Sequence, residues 1–207
     1  MLDAVRAVLV ISLAAGFAPA AGAQTGVRVD PDWPCQQIKT PTFSLASVWA
    51  GPQLDLNSRN WRDESDVADL TAKMAQRRIP VPEVESSIAS FKAKAGANAD
   101  SKLLAAFAGA FEDLSEQRSQ VLQGLDRFGR KQRALADRIR AENAAVQESS
   151  DQNREGQAPP GGESQEQLQW DIRVFDERRQ TIGYVCEAPT LIEQRIGEIA
   201  RSVQQAL

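Results

Sequence analysis

The chain contains no histidine. That absence removes Ser-His-Asp and Cys-His catalysis, c-type haem attachment and most zinc and copper sites, all of which depend on an imidazole. Aromatic residues are scarce too, at 6%, with a single tyrosine. A chain so poor in rings and so rich in Ala, Gln, Glu and Arg suits long helices packed side by side better than a sheet. There are two cysteines, 24 basic and 28 acidic residues, and a net charge of −4. Two cysteines exclude a disulfide-dense scaffold and leave no C-x-x-C redox motif. The mild acidic excess argues against nucleic acid or an anionic membrane as the main partner. Neither a phosphate-cradling glycine loop nor a nucleophile elbow is present.

What is there begins with a leader. Ala7 to Ala18 (AVLVISLAAGFA) is an uninterrupted apolar run preceded by Arg6, and Pro19 breaks it. Ala21-Gly22-Ala23 then places small residues at the −3 and −1 positions of a cleavage site before Gln24. Residues 1–23 are therefore predicted to be a signal peptide. Their apolar run is shorter than the roughly 20 residues needed to span a bilayer. No later stretch is apolar enough to insert after cleavage, so the mature chain is expected to be exported, periplasmic or secreted. Roughly 180 residues remain, enough for one domain with its own core.

Residues 24–57 differ in character from everything after them. They hold Pro31, Pro34, Pro41 and Pro52, two of the four tryptophans (Trp33 and Trp49), and few charges. Prolines spaced this way favour an extended path with turns, with one short helix around Ser44 to Trp49. The stretch reads as a strap lying across the helices that follow.

Residues 58–207 are predicted to be a helical bundle. The first helix is expected from near Ser58 to about Arg78, acidic in its first half (Asp63, Glu64, Asp66, Asp69) and basic at its end, as the helix dipole favours. Trp61, Val67, Leu70 and Met74 recur on it at helical spacing. Pro80 and Pro82 end it, and Pro82 opens a second, short helix with Val84, Ile88 and Phe91 on one face, stopped by Gly96. From about Asp100 to about Ser149, Leu104, Phe107, Phe111, Leu114, Arg118, Val121, Leu125, Phe128, Gln132, Leu135, Ile139, Glu142 and Val146 alternate in steps of three and four. That is a heptad seam on a helix roughly 75 Å long. Arg118, Gln132 and Glu142 interrupt it, and polar residues at such places set register.

Residues 147–167 drop every large apolar residue and contain Pro159-Pro160-Gly161-Gly162; they are expected to form a mobile hinge. Leu168, Ile172, Phe175, Arg179, Ile182 and Cys186 then resume the seam on a returning antiparallel helix, with Pro189 kinking or breaking it. Leu191, Ile192, Ile196, Ile199 and Val203 form a last amphipathic stretch. The predicted fold is all-α: a long antiparallel coiled-coil-like hairpin, two shorter helices and an N-terminal Pro/Trp-rich strap.

Two cysteines in an oxidising compartment most simply pair with each other. Folding back the hairpin puts Cys186 beside Leu125 to Phe128, within reach of a strap that crosses the bundle, so a Cys35–Cys186 disulfide is expected. The acidic cluster at 63–69 lacks the glycine-bearing turn of a calcium loop, and no metal or cofactor is called. The basic run Arg127, Arg130, Lys131, Arg133, Arg138, Arg140 is read as a solvated face laced with salt bridges to Asp171, Asp176 and Glu177. An enzyme using two carboxylates alone is conceivable in principle, yet no pair of acids is singled out. The expected role is non-enzymatic: an adaptor, chaperone-like or assembly factor for another envelope protein, with Trp33, Trp49 and Trp61 as candidate binding residues. The alternative is a small-ligand binding protein with those three rings lining one pocket between strap and bundle. The heptad seams also leave self-association into a homo-oligomer open.

Overall fold

A computed structural model describes residues 30–58, 60–154 and 162–207. The predicted signal peptide and residues 24–29 of the strap lie outside the described residues. The fold is all-α, and no strand occurs among the described residues. Among the described residues four helices follow in order: α1 (Ser65–Ala75), α2 (Val81–Ala95), α3 (Ala99–Arg154) and α4 (Gly162–Ala206). Single 3-10 turns occupy Leu45–Ser47, Asn60–Arg62 and Gly96–Asn98.

The two long helices form an antiparallel hairpin. Its register is held by the seam's polar residues: Gln132 Nε2 donates to the Phe175 carbonyl at 2.8 Å, and Arg118 Nε donates to Glu193 Oε1 at 2.6 Å. Further toward the tip, Arg138 bonds the buried Asp171. None of the thirteen seam residues of α3 from Leu104 to Val146 is fully exposed. At 1.5 Å per residue, the 56 residues of α3 extend roughly 84 Å.

The core sits at the base of this hairpin. Val67, Leu70 and Met74 of α1 and Val84, Ile88 and Phe91 of α2 pack on Leu103 and Phe107 of α3 and on Ile199 and Val203 of α4. Most of these side chains are fully buried, each favouring the fold by about 1.5–3 kcal/mol relative to exposure. α2 opens with Pro82 in its first turn, as expected, and ends where Gly96 takes a left-handed φ of 63°. Lys92 of α2 reaches the Ala206 carbonyl at the C-terminus of α4, where a cation suits the helix dipole.

Four elements depart from the sequence expectation. α1 is shorter than predicted at both ends. Before it, the Asp55 carboxylate accepts from the backbone of Asn57 (3.0 Å) and Ser58 (3.1 Å), holding these residues in a turn. Trp61 therefore enters on a 3-10 turn. At its other end the Arg195 guanidinium binds the last carbonyls and stops α1 at Ala75. The hinge expected over 147–167 is narrower: α3 continues to Arg154 and α4 begins at Gly162, while 155–161 lie outside the described residues. α4 also runs through Pro189 rather than breaking there. The lost bond is the one to the carbonyl of Val185, an exposed residue where water can replace it. Finally, Leu191 of the last amphipathic stretch points outward.

Candidate functional site

The strap lies in one groove of the hairpin, parallel to α4 and antiparallel to α3. Its path is recorded by contacts in order. Asp32 packs on Gly129, Lys39 pairs with Asp126, Thr40 and Pro41 meet Arg118, Phe43 meets Phe111, and Trp49 meets Phe107.

Gly129 is a seat. A Cβ there would overlap the Asp32 carbonyl oxygen, with the carbonyl carbon 2.7 Å away. Next along the strap, Cys35 is bridged to Cys186, with Cα atoms 5.6 Å apart, and the Gln37 amide donates to the Cys186 carbonyl. Lys39 bonds both Asp126 (2.7 Å) and Asp30 (2.9 Å). The hydrogen bond to Asp126, then that to Asp30, raises the Lys39 pKa above its ordinary value. The same lysine, followed by the Asp32 amide, lowers that of Asp30.

Arg118 is the central clamp. It is 3% exposed, and its fork reaches Glu193 of α4 together with the strap carbonyls of Thr40 (2.5 Å) and Pro41 (3.3 Å). One side chain thereby ties three segments, and a planar guanidinium with five donors is the group that can do so.

The three candidate tryptophans are separated. Trp33 is half-buried beside Phe128, Gln132 and Phe175, and its Nε1 donates to the Gln37 carbonyl at 2.7 Å. Trp49 stacks on Phe107 with ring centroids 4.6 Å apart, and its Nε1 donates to the Pro52 carbonyl at 2.7 Å. Trp61 is buried against Gly109, whose missing side chain leaves room for the indole. Along α3, Gly129 and Phe107 are 22 residues apart, roughly 33 Å. Trp33 therefore shares no pocket with Trp49 and Trp61, and the single cavity lined by all three rings is not formed.

A different set of residues faces outward. Trp170, Tyr184 and Leu191 are 57%, 79% and 53% exposed. Their spacings of fourteen and seven place them on one face of α4, turned away from the inward seam of Leu168, Phe175, Ile182 and Cys186. Ile38 of the strap, also exposed, follows Gln37 beside the disulfide. A cleft of about 550 Å³ lies at this junction, bordered by Cys35, Gln37, Arg179, Gly183, Tyr184 and Glu187.

The basic run behaves unevenly. Arg133 pairs with Asp32 at 2.9 Å, Arg138 with Asp171, and Arg140 with Asp137. Arg127, Arg130 and Lys131 make no ion pair among the described residues, and neither do Asp176 and Glu177, which were expected to meet the run.

Sequence reasoning passed over three residues. Gly109 and Gly129 sit inside α3 at a cost of about 1 kcal/mol each relative to alanine, and that cost was the legible sign of a close approach. Arg195, 6% exposed between Ile192 and Ile196, was the charge inside an apolar stretch. It donates to the carbonyls of Met74, Ile79 and Gln76 at 3.1, 2.6 and 3.0 Å. Burial lowers its pKa, and Glu198 opposes this.

The disulfide is compatible with an exported protein. Among the described residues no helix is long and apolar enough to cross a membrane, and no group of acids and cysteines could hold a metal ion. Comparison with protein-family models, curated proteins and solved structures returns no match for this chain.

Proposed function

We propose that this protein is an exported, non-enzymatic adaptor or assembly factor that engages another protein of the cell envelope through its helical hairpin. The observation that carries this reading is the outward row of Trp170, Tyr184 and Leu191 on α4. A helix within a single bundle needs one apolar stripe, and α4 already spends one on α3. A second row, with spacings of fourteen and seven and Glu177 between its first two members, roughly 32 Å long, is surface for another helix or for a flat apolar patch. Trp and Tyr are the residues best suited to anchor such a contact. The strap supports the same role by stiffening the hairpin: Cys35–Cys186, Arg118 and Lys39 hold α3 and α4 in one register where the row is displayed. Trp33, Trp49 and Trp61 serve as anchors of strap and α1 rather than as the binding face.

The test is photocrosslinking from a benzophenone amino acid at Tyr184 in the intact envelope, with one at the buried Leu122 as the control. A defined adduct from position 184 is expected. It should vanish in the Trp170→Ser, Leu191→Ser double variant while the melting temperature stays unchanged. No adduct from 184, or equal adducts from both positions, removes the reading. An adduct only with a second copy of the chain replaces the adaptor with a homo-oligomer.

A further inference from the structure

The groove on the other side of the hairpin is only partly filled. α1 lies over its base: Thr71 donates to the Ala106 carbonyl at 3.1 Å, and Ala75 packs among Leu114, Ile192 and Ile196. The floor under α1 is built from two rows stepping by three and four. On α3 the row is Ala106, Ala110, Leu114; on α4 it is Ile199, Ile196, Ile192. Both rows continue past the end of α1. On α3 come Gln117, Val121, Gly124 and Phe128, and on α4 Pro189, Val185, Ile182 and Arg178. Val121, Gly124, Leu125, Phe128, Ile182 and Val185 line a depression of about 370 Å³ there. Val185 is 46% exposed. The seat that holds a helix at the base thus runs on, empty of any element of the described chain, for about two further helical turns.

Its lips are positive. The Arg127 guanidinium lies 3.9 Å from where a Cβ would stand on Gly124. Lys131 follows Gly124 by seven residues on the same face of α3, and Arg178 borders the depression from α4. None of the three makes an ion pair among the described residues. Glu177 adds one carboxylate on the outer side of α4, and the cations outnumber it. In an otherwise acidic chain, three cations around an apolar floor are complementary to an acidic partner.

We infer that this groove is a docking site for an acidic amphipathic helix of a partner protein, seated in line with α1. The partner's apolar ridge enters between Val121, Phe128 and Val185, and its carboxylates meet Arg127, Lys131 and Arg178. This is helix-in-groove recognition, and it rests on the adaptor reading by naming a partner class for the same hairpin.

The experiment uses the mature, disulfide-bonded chain and a fluorescein-labelled helical peptide about five turns long, with a leucine ridge flanked by glutamate. Two matched peptides carry lysine flanks, or serine in place of the ridge. Fluorescence anisotropy is expected to show saturable, salt-sensitive binding of the acidic peptide and about tenfold weaker binding of each control. Gly124→Leu fills the groove, its Cβ meeting only the Arg127 guanidinium at ordinary contact distance, and the Arg127→Glu, Lys131→Glu, Arg178→Glu triple variant reverses the lips without breaking an ion pair. Each should weaken binding about tenfold or more with the helical circular dichroism unchanged. The inference is overturned if the acidic peptide does not bind, if the lysine peptide binds as well, or if Gly124→Leu binds like the parent. It is also overturned if sedimentation shows a second copy in the groove, as a dimer that Gly124→Leu dissolves. Peptide failure with a persisting Tyr184 adduct removes the groove assignment alone; loss of both removes the adaptor reading as well.

Discussion

Replacing Gly129 with alanine sets two opposed effects against each other at one atom. In a helix interior, Gly→Ala gains about 0.5–1 kcal/mol because alanine loses less backbone entropy on folding. Gly183 shows this gain undisturbed: it is exposed, and a Cβ there meets nothing within 4 Å. At Gly129 the same methyl would overlap the carbonyl of Asp32. The strap cannot slide aside freely, since the Asp32 amide is held by Asp30 at 3.0 Å, its carboxylate by Arg133 at 2.9 Å, and Cys35 by the disulfide. Overpacking of this kind costs about 1–3 kcal/mol. Local release of residues 30–34 caps that cost near the value of a half-buried Trp33 and two surface ion pairs, Asp32–Arg133 and Asp30–Lys39, about 1–3 kcal/mol. Gly183→Ala is therefore expected to be stabilising and Gly129→Ala neutral to destabilising, with about 1–3 kcal/mol between them. For a chain of this size that separates the melting temperatures by about 3–10 °C. Hydrogen exchange should locate the cause, with faster exchange at residues 30–40 in Gly129→Ala only. Equal melting temperatures, or unchanged exchange of the strap, would refute the reasoning.

Reducing the disulfide opens a loop with a sequence separation of 151, which chain entropy values at about 5 kcal/mol. Cys35→Ser should lower the denaturation midpoint correspondingly, and intact mass should show thiol alkylation only after reduction; a midpoint within error of the parent would show that the strap contributes no closure. Arg195→Ala strands the carbonyls of Met74, Gln76 and Ile79 at and beyond the end of α1 and is expected to cost about 3 kcal/mol. Arg195→Lys should restore little, because an ammonium cannot span Met74, Gln76 and Ile79 together; full stability of the lysine variant in urea would contradict this. The Lys39–Asp30 pair gives a pH signature. Asp30 is lowered in the fold, so its contribution is complete above the ordinary value of 3.8 and fades as pH falls from there through the lower folded value. Lys39 is raised, so its contribution holds up to 10.5 and is lost only above that. Protection of the strap amides should therefore fall below about pH 4 in the parent and by less in Asp30→Asn, which keeps only the Asp126–Lys39 and Asp32–Arg133 pairs.

Much of this architecture was legible in the chain because it depends on local period. Steps of three and four on α3 and α4 define a face that must be covered, so the inward seam follows from spacing. The connection between them is short relative to both helices, so the antiparallel hairpin follows from the length of the connection. The pairing of Cys35 with Cys186 was legible for a different reason, namely that two cysteines have one partner each. Pro82 and Gly96 mark helix ends through backbone restrictions that travel with the residue. The short turn after Ser44 is likewise local.

What the sequence could not determine is anything that depends on two distant segments meeting at one atom. The tryptophans share a type but not a place: Trp33 is drawn to Gly129 and Phe128, Trp49 to Phe107 and Trp61 to Gly109, and separation along α3 decides that they never line one pocket. α1 stops at Ala75 because Arg195, 121 residues after Met74, takes its terminal carbonyls. α4 passes through Pro189 because the lost bond falls on the exposed Val185 and the flanking turns are held by Cys186 and Ile192. Arg118 looked like a flaw in a seam and is the clamp on the strap. Period and residue chemistry are properties of a segment, and they chose the helices. Only packing could decide which faces stayed uncovered, the outward row of Trp170, Tyr184 and Leu191 and the groove beyond α1, because exposure is a property of the neighbours a residue fails to acquire.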